Sequence, residues 1–140
     1  MNNTPIILDT SAFISLSTVT DSNYKKATEI SKQIEEENRL IILPGEIFTE
    51  IVNVVGKKVG HKAAIIQANT ILGSSSFTIF ETTPFIRISA LNKFKTQPKS
   101  VSFTDCLVMA FADEYDTKAI FGFDEAFHKN GYARVGIDKS

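Results

Sequence analysis

Pro5-Ile-Ile-Leu-Asp9 joins a short, unbroken apolar run to a carboxylate. An apolar run of this length is typical of a strand that is buried on both faces of a parallel sheet. Comparable short runs recur along the chain. The predicted strands are Pro5–Leu8, Arg39–Leu43, Phe77–Phe80, Lys118–Phe121 and Ala133–Val135.

Segments of helical length and pattern separate these strands. The predicted helices are Ser11–Ser17, Asp21–Glu37 with Asp21 or Ser22 as its cap, Pro44–Lys58, Gly60–Leu72, Pro84–Lys95 and Ser102–Tyr115. Strands that alternate with helices predict parallel crossovers, and therefore an α/β fold whose sheet is covered on both faces. Such folds bind ligands outside the carboxyl ends of their strands, where Asp9 and Asp124 are both expected to lie.

Four acidic residues stand next to strongly apolar sequence: Asp9, Glu50, Asp105 and Asp124. A lone charge at the edge of a core costs several kcal/mol unless it is paired or bound to a metal. Few basic residues are adjacent to these four in the sequence. We therefore interpret them as candidate catalytic and metal-binding carboxylates.

Each of the four also has an ordinary structural explanation. Asp9 fits the N-cap of the helix that follows it, and Asp124 fits a turn. Glu50 fits a solvated position at the border of an apolar helix face. Asp105 fits the third position of a capping box opened by Ser102, although the helix it begins is apolar nearly all round.

The functional explanation gains weight when the four residues are taken together. Two carboxylates about 4 Å apart repel by about 4 kcal/mol at an effective dielectric constant of about 20. A divalent cation bound between them reverses the sign of this interaction. Oxygen ligands without His or Cys favour Mg²⁺ or Mn²⁺ over Zn²⁺.

Composition restricts the classes of protein that the chain fits. Its 140 residues, 43% of them hydrophobic, predict a single domain over residues 1–140 with a core of its own. The net charge of -1 does not by itself indicate a nucleic-acid-binding protein. Cys106 is the one cysteine, which excludes an intrachain disulfide and a multi-cysteine zinc site. With only His61 and His128, both expected at the surface, a histidine-pair nuclease is disfavoured.

We expect the protein to be cytoplasmic. Residues 1–5 lack the basic region of a signal peptide, and no apolar run approaches the ~20 residues that span a bilayer. The single cysteine fits a reducing compartment.

Four segments, taken in order, resemble the PIN domain family, and most closely its small single-domain ribonucleases of the VapC toxin type. The segments are Ile7-Leu-Asp9-Thr-Ser-Ala, Pro44-Gly-Glu-Ile-Phe-Thr-Glu50-Ile-Val-Asn-Val, Ser102-Phe-Thr-Asp105-Cys-Leu-Val-Met-Ala110 and Phe123-Asp124-Glu-Ala-Phe127. No single segment is specific, but the ordered set covers nearly the whole chain. The resemblance implies a three-layer α/β/α sandwich with a parallel five-stranded sheet.

The resemblance also implies a function. It is that of an Mg²⁺- or Mn²⁺-dependent endoribonuclease that hydrolyses RNA phosphodiester bonds, as the toxin of a type II toxin–antitoxin pair. The family's catalytic acids carry over to Asp9, Glu50, Asp105 and Asp124, and Asp9 and Asp105 are expected to bind the cation directly. The implied partners are RNA, a cognate antitoxin and a second copy of the chain in a homodimer. The alternatives are a PIN-domain nuclease of RNA processing that is not a toxin, and a catalytically weak RNA-binding module.

Two features depart from the family pattern. Gly122 stands where many relatives carry Thr or Ser, so a hydroxyl that could support the metal or its water is missing. Glu50 is followed by Ile-Val-Asn53 rather than by the small-residue turn common in toxins. Three hydroxyls are candidates for supporting the ligands, with helix capping as their ordinary role: Thr10, Ser11 and Thr104.

Two other α/β classes also place an aspartate after the first strand. Haloacid-dehalogenase-type phosphatases need a second Asp two residues later, where this chain has Ser11. Response-regulator receiver domains need an acidic pair at the first strand and a phosphoacceptor Asp after the third, where this chain has Phe80-Glu81-Thr. The residues of this chain match neither pattern.

Lysines that could contact RNA form two groups: Lys57, Lys58 and Lys62, and Lys93, Lys95 and Lys99. Solvated helix ends and a loop are the ordinary explanation for both groups. The second group closely precedes Asp105, which favours it as a guide for a phosphate backbone.

Overall fold

The apolar runs of the sequence form the central strands of a parallel sheet. The structure is a computed structural model and describes residues 4–139, so residues 1–3 and Ser140 of the predicted domain lie outside the described residues. The strands are β1 (Ile6–Leu8), β2 (Ile41–Pro44), β3 (Phe77–Phe80), β4 (Ala119–Phe121) and β5 (Ala133–Arg134). Every residue of β1, β2 and β4 is buried, whereas the edge strands β3 and β5 are half-buried.

Helices fill each connection between successive strands. They are α1 (Thr10–Ser17), α2 (Tyr24–Glu36), α3 (Gly45–Lys58), α4 (His61–Leu72), α5 (Pro84–Phe94), α6 (Phe103–Glu114) and α7 (Glu125–Lys129). Pairs of helices connect β1 to β2, β2 to β3 and β3 to β4, and α7 connects β4 to β5. The alternation predicted from the sequence is therefore confirmed.

The strand order is β3-β2-β1-β4-β5, and all paired strands are parallel. The order changes direction at β1, which has β2 on one side and β4 on the other. Such a topological switch point is where open α/β sheets bind their ligands. The order also differs from the 2-1-3-4-5 order of receiver domains, which excludes that class.

Helices cover both faces of the sheet, which confirms the predicted three-layer α/β/α sandwich. α3 packs against α1 and α4, while α5 packs against α6, which in turn lies on β1. Right-handed crossovers place the helices between β1 and β3 on one face and α5 and α6 on the other. Among residues 4–139, no helix is long and apolar enough to cross a membrane.

α6 lies in the centre of the core, as its apolar sequence predicts. Its residues from Cys106 to Ala112 are all buried, and Phe111 has no exposed surface. The Phe111 ring stacks with that of Tyr115 at a centroid distance of 6.2 Å. The buried part of this helix fixes its half-buried first turn, which carries Asp105, at the edge of the core.

The start of α2 differs from the prediction. α2 begins at Tyr24 with Asn23 as its N-cap residue, so the prediction that Asp21 or Ser22 caps it is wrong. Asp21 instead accepts hydrogen bonds from the Asn23 N–H (2.8 Å) and the Ser15 hydroxyl (3.0 Å). These bonds stabilise a turn before the helix, because a short acidic side chain readily bonds a backbone N–H two residues later.

Two further features of the structure differ from the prediction: the short helix α7 and the start of α3. No periodic pattern predicts α7, because five residues are too few to show helical periodicity. Asp124, for which a turn was the ordinary structural explanation, is the N-cap of this helix. Pro44 is the last residue of β2 and pairs in register with Phe80, so it precedes α3 rather than lying in its first turn.

Replacing Phe111 with Ala is expected to lower the free energy of unfolding by about 3–5 kcal/mol, because a fully buried ring leaves a cavity that the core fills only in part. Urea denaturation followed by circular dichroism measures the change. Phe85→Ala is the matched control, since Phe85 is 69% exposed and its loss should change the unfolding free energy by less than about 0.5 kcal/mol. Equal losses in the two variants would contradict the assignment of α6 to the core.

Candidate active site

Asp9 lies at the topological switch point, directly after β1. Its backbone N–H donates to the carbonyl of Phe121 in β4 (3.0 Å), so the pairing of the strands fixes its position. Its side chain caps α1, where Oδ2 accepts from the Ser11 N–H (3.3 Å) and from Ser11 Oγ (2.7 Å). Asp9 is only 5% exposed. A buried carboxylate therefore stands at the ligand-binding edge of the sheet.

Glu50 reaches the same edge from the middle of α3. Ile47 and Ile51, which flank it on the helix, are fully buried and hold α3 against the core. Glu46, one turn earlier, has other partners, because it accepts a hydrogen bond from Thr82 and lies 3.7 Å from an Arg87 nitrogen. Glu50 is therefore the carboxylate that α3 directs to this edge.

Asp105 lies in the first turn of α6, where the predicted capping box is present. The Asp105 N–H donates to Ser102 Oγ (3.0 Å), and the Ser102 N–H donates to Asp105 Oδ2 (3.1 Å). In the described part of the chain, Oδ1 accepts no hydrogen bond. The capping role of Asp105 therefore leaves one oxygen for a ligand.

Asp124 caps α7, because its Oδ1 accepts a hydrogen bond from the Ala126 N–H (2.9 Å). The residue before it is held by β5, where Arg134 Nη1 donates to the Phe123 carbonyl (3.1 Å). Arg134 also pairs with Asp138 at 2.9 Å, and these hydrogen bonds lower the pKa of Asp138 to about 2. The loop that carries Asp124 is therefore fixed from both ends.

One cavity of about 600 Å³ is lined by all four carboxylates that the sequence predicts: Asp9, Glu50, Asp105 and Asp124. They belong to four separate parts of the chain, so only the fold brings them together. Much of the remaining wall is polar or charged and includes Ser11, Asp21, Asn23, Lys58 and Thr104. His61 and His128 are exposed and lie elsewhere, as predicted.

Burial and like charges raise the pKa values of two of these carboxyl groups. Burial is the largest cause that raises the pKa of Asp9 to about 6, and the charges of Asp105 and Glu50 act in the same direction. The hydrogen bonds from Ser11 oppose this increase. Burial also raises the pKa of Asp105, and the charge of Asp124 adds to the effect. Ionising Asp9 and Asp105 in this cavity therefore costs free energy.

The chemistry of the cavity wall fits a hard divalent cation. The wall offers oxygen atoms, and neither His nor Cys is among its described residues. Thr10 Oγ1, on the same wall, is the one buried side-chain polar atom within residues 4–139 that lacks a hydrogen-bond partner. In that range, no three His, Cys, Asp or Glu side chains are arranged to hold a metal ion together. The four acids share a cavity without forming a preassembled ligand cluster.

The packing around Asp9 leaves no room for a side chain at position 122. A Cβ atom at position 122 would lie 2.9 Å from the Asp9 Cβ and 3.0 Å from Cε2 of Phe127. Ser11 supplies a hydroxyl at this point, because its Oγ donates to Asp9 (2.7 Å) and accepts from the Phe123 N–H (3.2 Å). The hydroxyl of Ser11 therefore joins Asp9 to the loop after β4, at a place where the family pattern has a Thr or Ser.

Asp21 and Asn23 belong to the cavity but not to the site predicted from the sequence. They reach it because the turn before α2 places both residues beside the end of α1, where Ser15 donates to Asp21. Their local sequence predicts only a helix start. No signal in the sequence could have distinguished a cap from a cavity wall.

The two lysine groups have different positions in the structure. Lys58, from the first group, lines the cavity, whereas no lysine of the second group does. Lys93 of the second group lies 2.6 Å from Asp113 and is therefore held in an ion pair. The interpretation that favoured the second group as the guide for a phosphate backbone receives no support from these positions.

The family model of the PIN domain matches residues 6–131, a range that includes all four carboxylates. The chain therefore belongs to the PIN domain family. PIN domains are metal-dependent endoribonucleases, so the chain belongs to a class of metal-dependent enzymes that cut RNA. This match confirms the resemblance found in the sequence.

The fold is also similar to a solved structure. The crystal structure of Mycobacterium tuberculosis VapC20, described as a sarcin-ricin loop cleaving toxin, matches with a TM-score of 0.80 and 20% sequence identity. The match covers 93% of this chain and 98% of that chain. At this identity the likeness establishes the fold. A comparison with curated proteins finds no match.

The raised pKa of Asp9 predicts a specific dependence of stability on pH. Because the folded-state pKa of about 6 lies above the unfolded value of 3.8, Asp9 favours folding below pH 4 and loses that contribution as the pH rises through 6. In the presence of a chelator, Asp9→Asn should unfold with a free energy up to about 3 kcal/mol higher than that of the wild type above pH 6. The two proteins should converge below pH 4. Parallel curves of unfolding free energy against pH would show that Asp9 is not buried as described.

Adding a side chain at Gly122 is expected to weaken the fold, although relatives carry a hydroxyl there. Gly122→Ser should lower the free energy of unfolding by about 1–3 kcal/mol, because its Cβ overlaps Asp9. Gly56→Ala in α3 is the control, since the new Cβ meets only the Ala64 Cβ at 3.6 Å and should add up to about 1 kcal/mol through helix propensity. Thermal or urea denaturation measures both. A stabilised Gly122→Ser variant would contradict the close packing of Gly122 on Asp9.

Proposed function

We propose that this chain is an Mg²⁺- or Mn²⁺-dependent endoribonuclease that acts as the toxin of a type II toxin–antitoxin pair. The observation that carries the proposal is the single cavity lined by Asp9, Glu50, Asp105 and Asp124 at the switch point of the sheet. Membership of the PIN domain family supports the nuclease chemistry. The similarity of the fold to that of a VapC toxin supports the toxin assignment.

The side chains of the cavity have distinct roles in this proposal. Asp9 and Asp105 would hold the cation, while Glu50 and Asp124 would bind a second ion or orient water. Ser11 orients Asp9 through its hydrogen bond of 2.7 Å, and the capping box orients Asp105. Since Mg²⁺ is usually bound through one or two carboxylates and keeps several waters, a preassembled group of three acids is not required.

A divalent cation bound here would lower the pKa of a water molecule and offset the charge of the scissile phosphate. The chain itself supplies the carboxylates, whose fixed positions and negative charge attract the cation. Its carboxylates repel an RNA phosphate as long as they are uncompensated, so binding of RNA and of the cation should be coupled. Proton loss from Asp9, whose pKa is raised to about 6, should accompany cation binding near that pH.

The partners of the protein follow from the same proposal. We infer an RNA substrate, a cognate antitoxin and a homodimer, in the cytoplasm. The resemblance to toxins supports the antitoxin and the dimer, and the single buried Cys106 is compatible with a reducing compartment. A small overlapping reading frame for a DNA-binding protein beside this gene would support the toxin.

A PIN-domain nuclease of RNA processing is the second candidate. Ile-Val-Asn53 after Glu50 favours it, because toxins commonly have a small-residue turn at this point. A catalytically weak RNA-binding module is the third. All four acids are present in one cavity, which favours an active enzyme over a binding module.

Asp9→Asn is expected to lower the rate of RNA cleavage at least about 100-fold at matched Mg²⁺ or Mn²⁺. Mutating a residue that only orients a metal ligand commonly lowers activity by about 10- to 100-fold, and removing the ligand itself should lower it at least as much. Glu125→Gln is the control, since Glu125 is exposed, neighbours Asp124 and does not line the cavity. Gel analysis of a labelled RNA measures the rate, and circular dichroism verifies the fold of each variant.

Three outcomes would each contradict part of the proposal. An Asp9→Asn variant that cuts RNA as fast as the wild type would remove the cavity from the chemistry. A wild-type protein that binds RNA without cutting it, at any concentration of either metal, would favour the binding module. Cleavage without growth arrest on expression would keep the nuclease and favour RNA processing over a toxin.

A further inference from the structure

One face of α3 places a lysine side chain in the wall of the acidic cavity. Glu50, Val54 and Lys58 follow one another at intervals of four residues, and all three line the cavity. Side chains at this interval lie along one face of a helix. Among the described residues of the wall, Lys58 is the one basic side chain beside five carboxylate residues, the four of the site and Asp21.

The Lys58 ammonium is free to bind a ligand. Within residues 4–139 it takes part in no ion pair, and its side chain is exposed. Lys93 is different, because it is held 2.6 Å from Asp113. A lysine that lines an acidic cavity without pairing to any of its acids is available to an anion that enters from solvent.

The position of Lys58 limits which phosphate it reaches. Glu50 and Lys58 are eight residues apart, which corresponds to about 12 Å along the helix axis. A scissile phosphate among the carboxylates lies at the Glu50 end of this face. The ammonium of Lys58 therefore lies nearer to a phosphate farther along the RNA backbone than to the bond that is cut.

We propose that Lys58 binds a phosphate that flanks the scissile phosphate of a single-stranded RNA, and so sets the path of the substrate through the cavity. This inference rests on the proposed function. It assigns to Lys58 a role in substrate binding and none in bond cleavage. A backbone that carries one charge per nucleotide must pass the acidic wall, and Lys58 is the point of that wall that attracts it.

A matched control variant at Lys57 distinguishes RNA binding by Lys58 from a purely structural role of this residue. Lys57 and Lys58 both lie in the last turn of α3, where a positive charge interacts favourably with the helix dipole. Lys57 does not line the cavity. Lys57→Ala therefore removes the same interaction with the dipole but no contact with the proposed RNA path.

The test combines RNA binding with RNA cleavage. Fluorescence anisotropy of a fluorescein-labelled, single-stranded RNA of mixed sequence measures binding to full-length Asp9→Asn protein over a range of salt concentrations, at one Mg²⁺ concentration high enough to fill the weakened cation site of this variant. Adding Lys58→Ala should weaken binding about three- to fivefold at low salt and reduce the slope of log affinity against log salt by about 0.7, the value for one phosphate contact. Lys58→Arg should restore both values, and Lys57→Ala should leave both unchanged.

Steady-state cleavage of the same RNA separates binding from chemistry. In the protein with Asp9 intact, Lys58→Ala should raise KM by about three- to fivefold and leave kcat within about twofold. A salt slope of Lys58→Ala equal to that of Lys57→Ala, or a loss confined to kcat, would overturn the role of Lys58 while the nuclease activity stands. Wild-type protein that neither binds nor cuts RNA would overturn the proposed function, and the role of Lys58 with it.

Discussion

The rest of the structure depends on one buried carboxylate, that of Asp9, at the point where the strand order of the sheet changes direction. Pairing of β1 with β4 fixes the backbone of this residue, and Ser11 fixes one of its oxygens at 2.7 Å. Asp9 occupies the space that a Cβ at position 122 would need, and Gly122 leaves that space free. Since burial raises the pKa of Asp9 to about 6, the fold holds this group in place at a cost in stability at neutral pH. Functional sites are where such a cost is expected.

The other three carboxylates are brought to Asp9 by secondary structure. Glu50 projects from α3, whose neighbouring isoleucines are buried. Asp105 completes the capping box of α6, and Asp124 is the N-cap of α7. Capping and ligand binding are compatible, because each carboxylate has two oxygens and its cap uses one. The acids therefore share a cavity of about 600 Å³ without forming a closed ligand cluster. An open arrangement of this kind suits a cation that keeps water and shares its ligands with a phosphate.

Much of this arrangement is predictable from the sequence, because it depends on local patterns. Short apolar runs specify buried parallel strands, and an aspartate after β1 or β4 must lie at the carboxyl edge of the sheet. The features that the sequence does not predict have two causes: contacts between distant segments, and elements that are too short to show a pattern. Gly122 shows no local sign that it packs on Asp9, and Lys93 shows none that it pairs with Asp113. The turn at Asp21 and the five-residue α7 are too short for periodicity to define them.

Titration calorimetry of Mn²⁺ at two pH values tests the central claim most directly, because it measures cation binding and the proton of Asp9 together. Runs in buffers of different ionisation enthalpy give the number of protons released on binding. Saturable binding is predicted, with release of about half a proton at pH 6, where Asp9 is near its pKa of about 6, and almost none at pH 8. Asp9→Asn should bind far more weakly and lack the proton that Asp9 releases. Binding that is absent, or identical in the wild type and Asp9→Asn, would contradict the account.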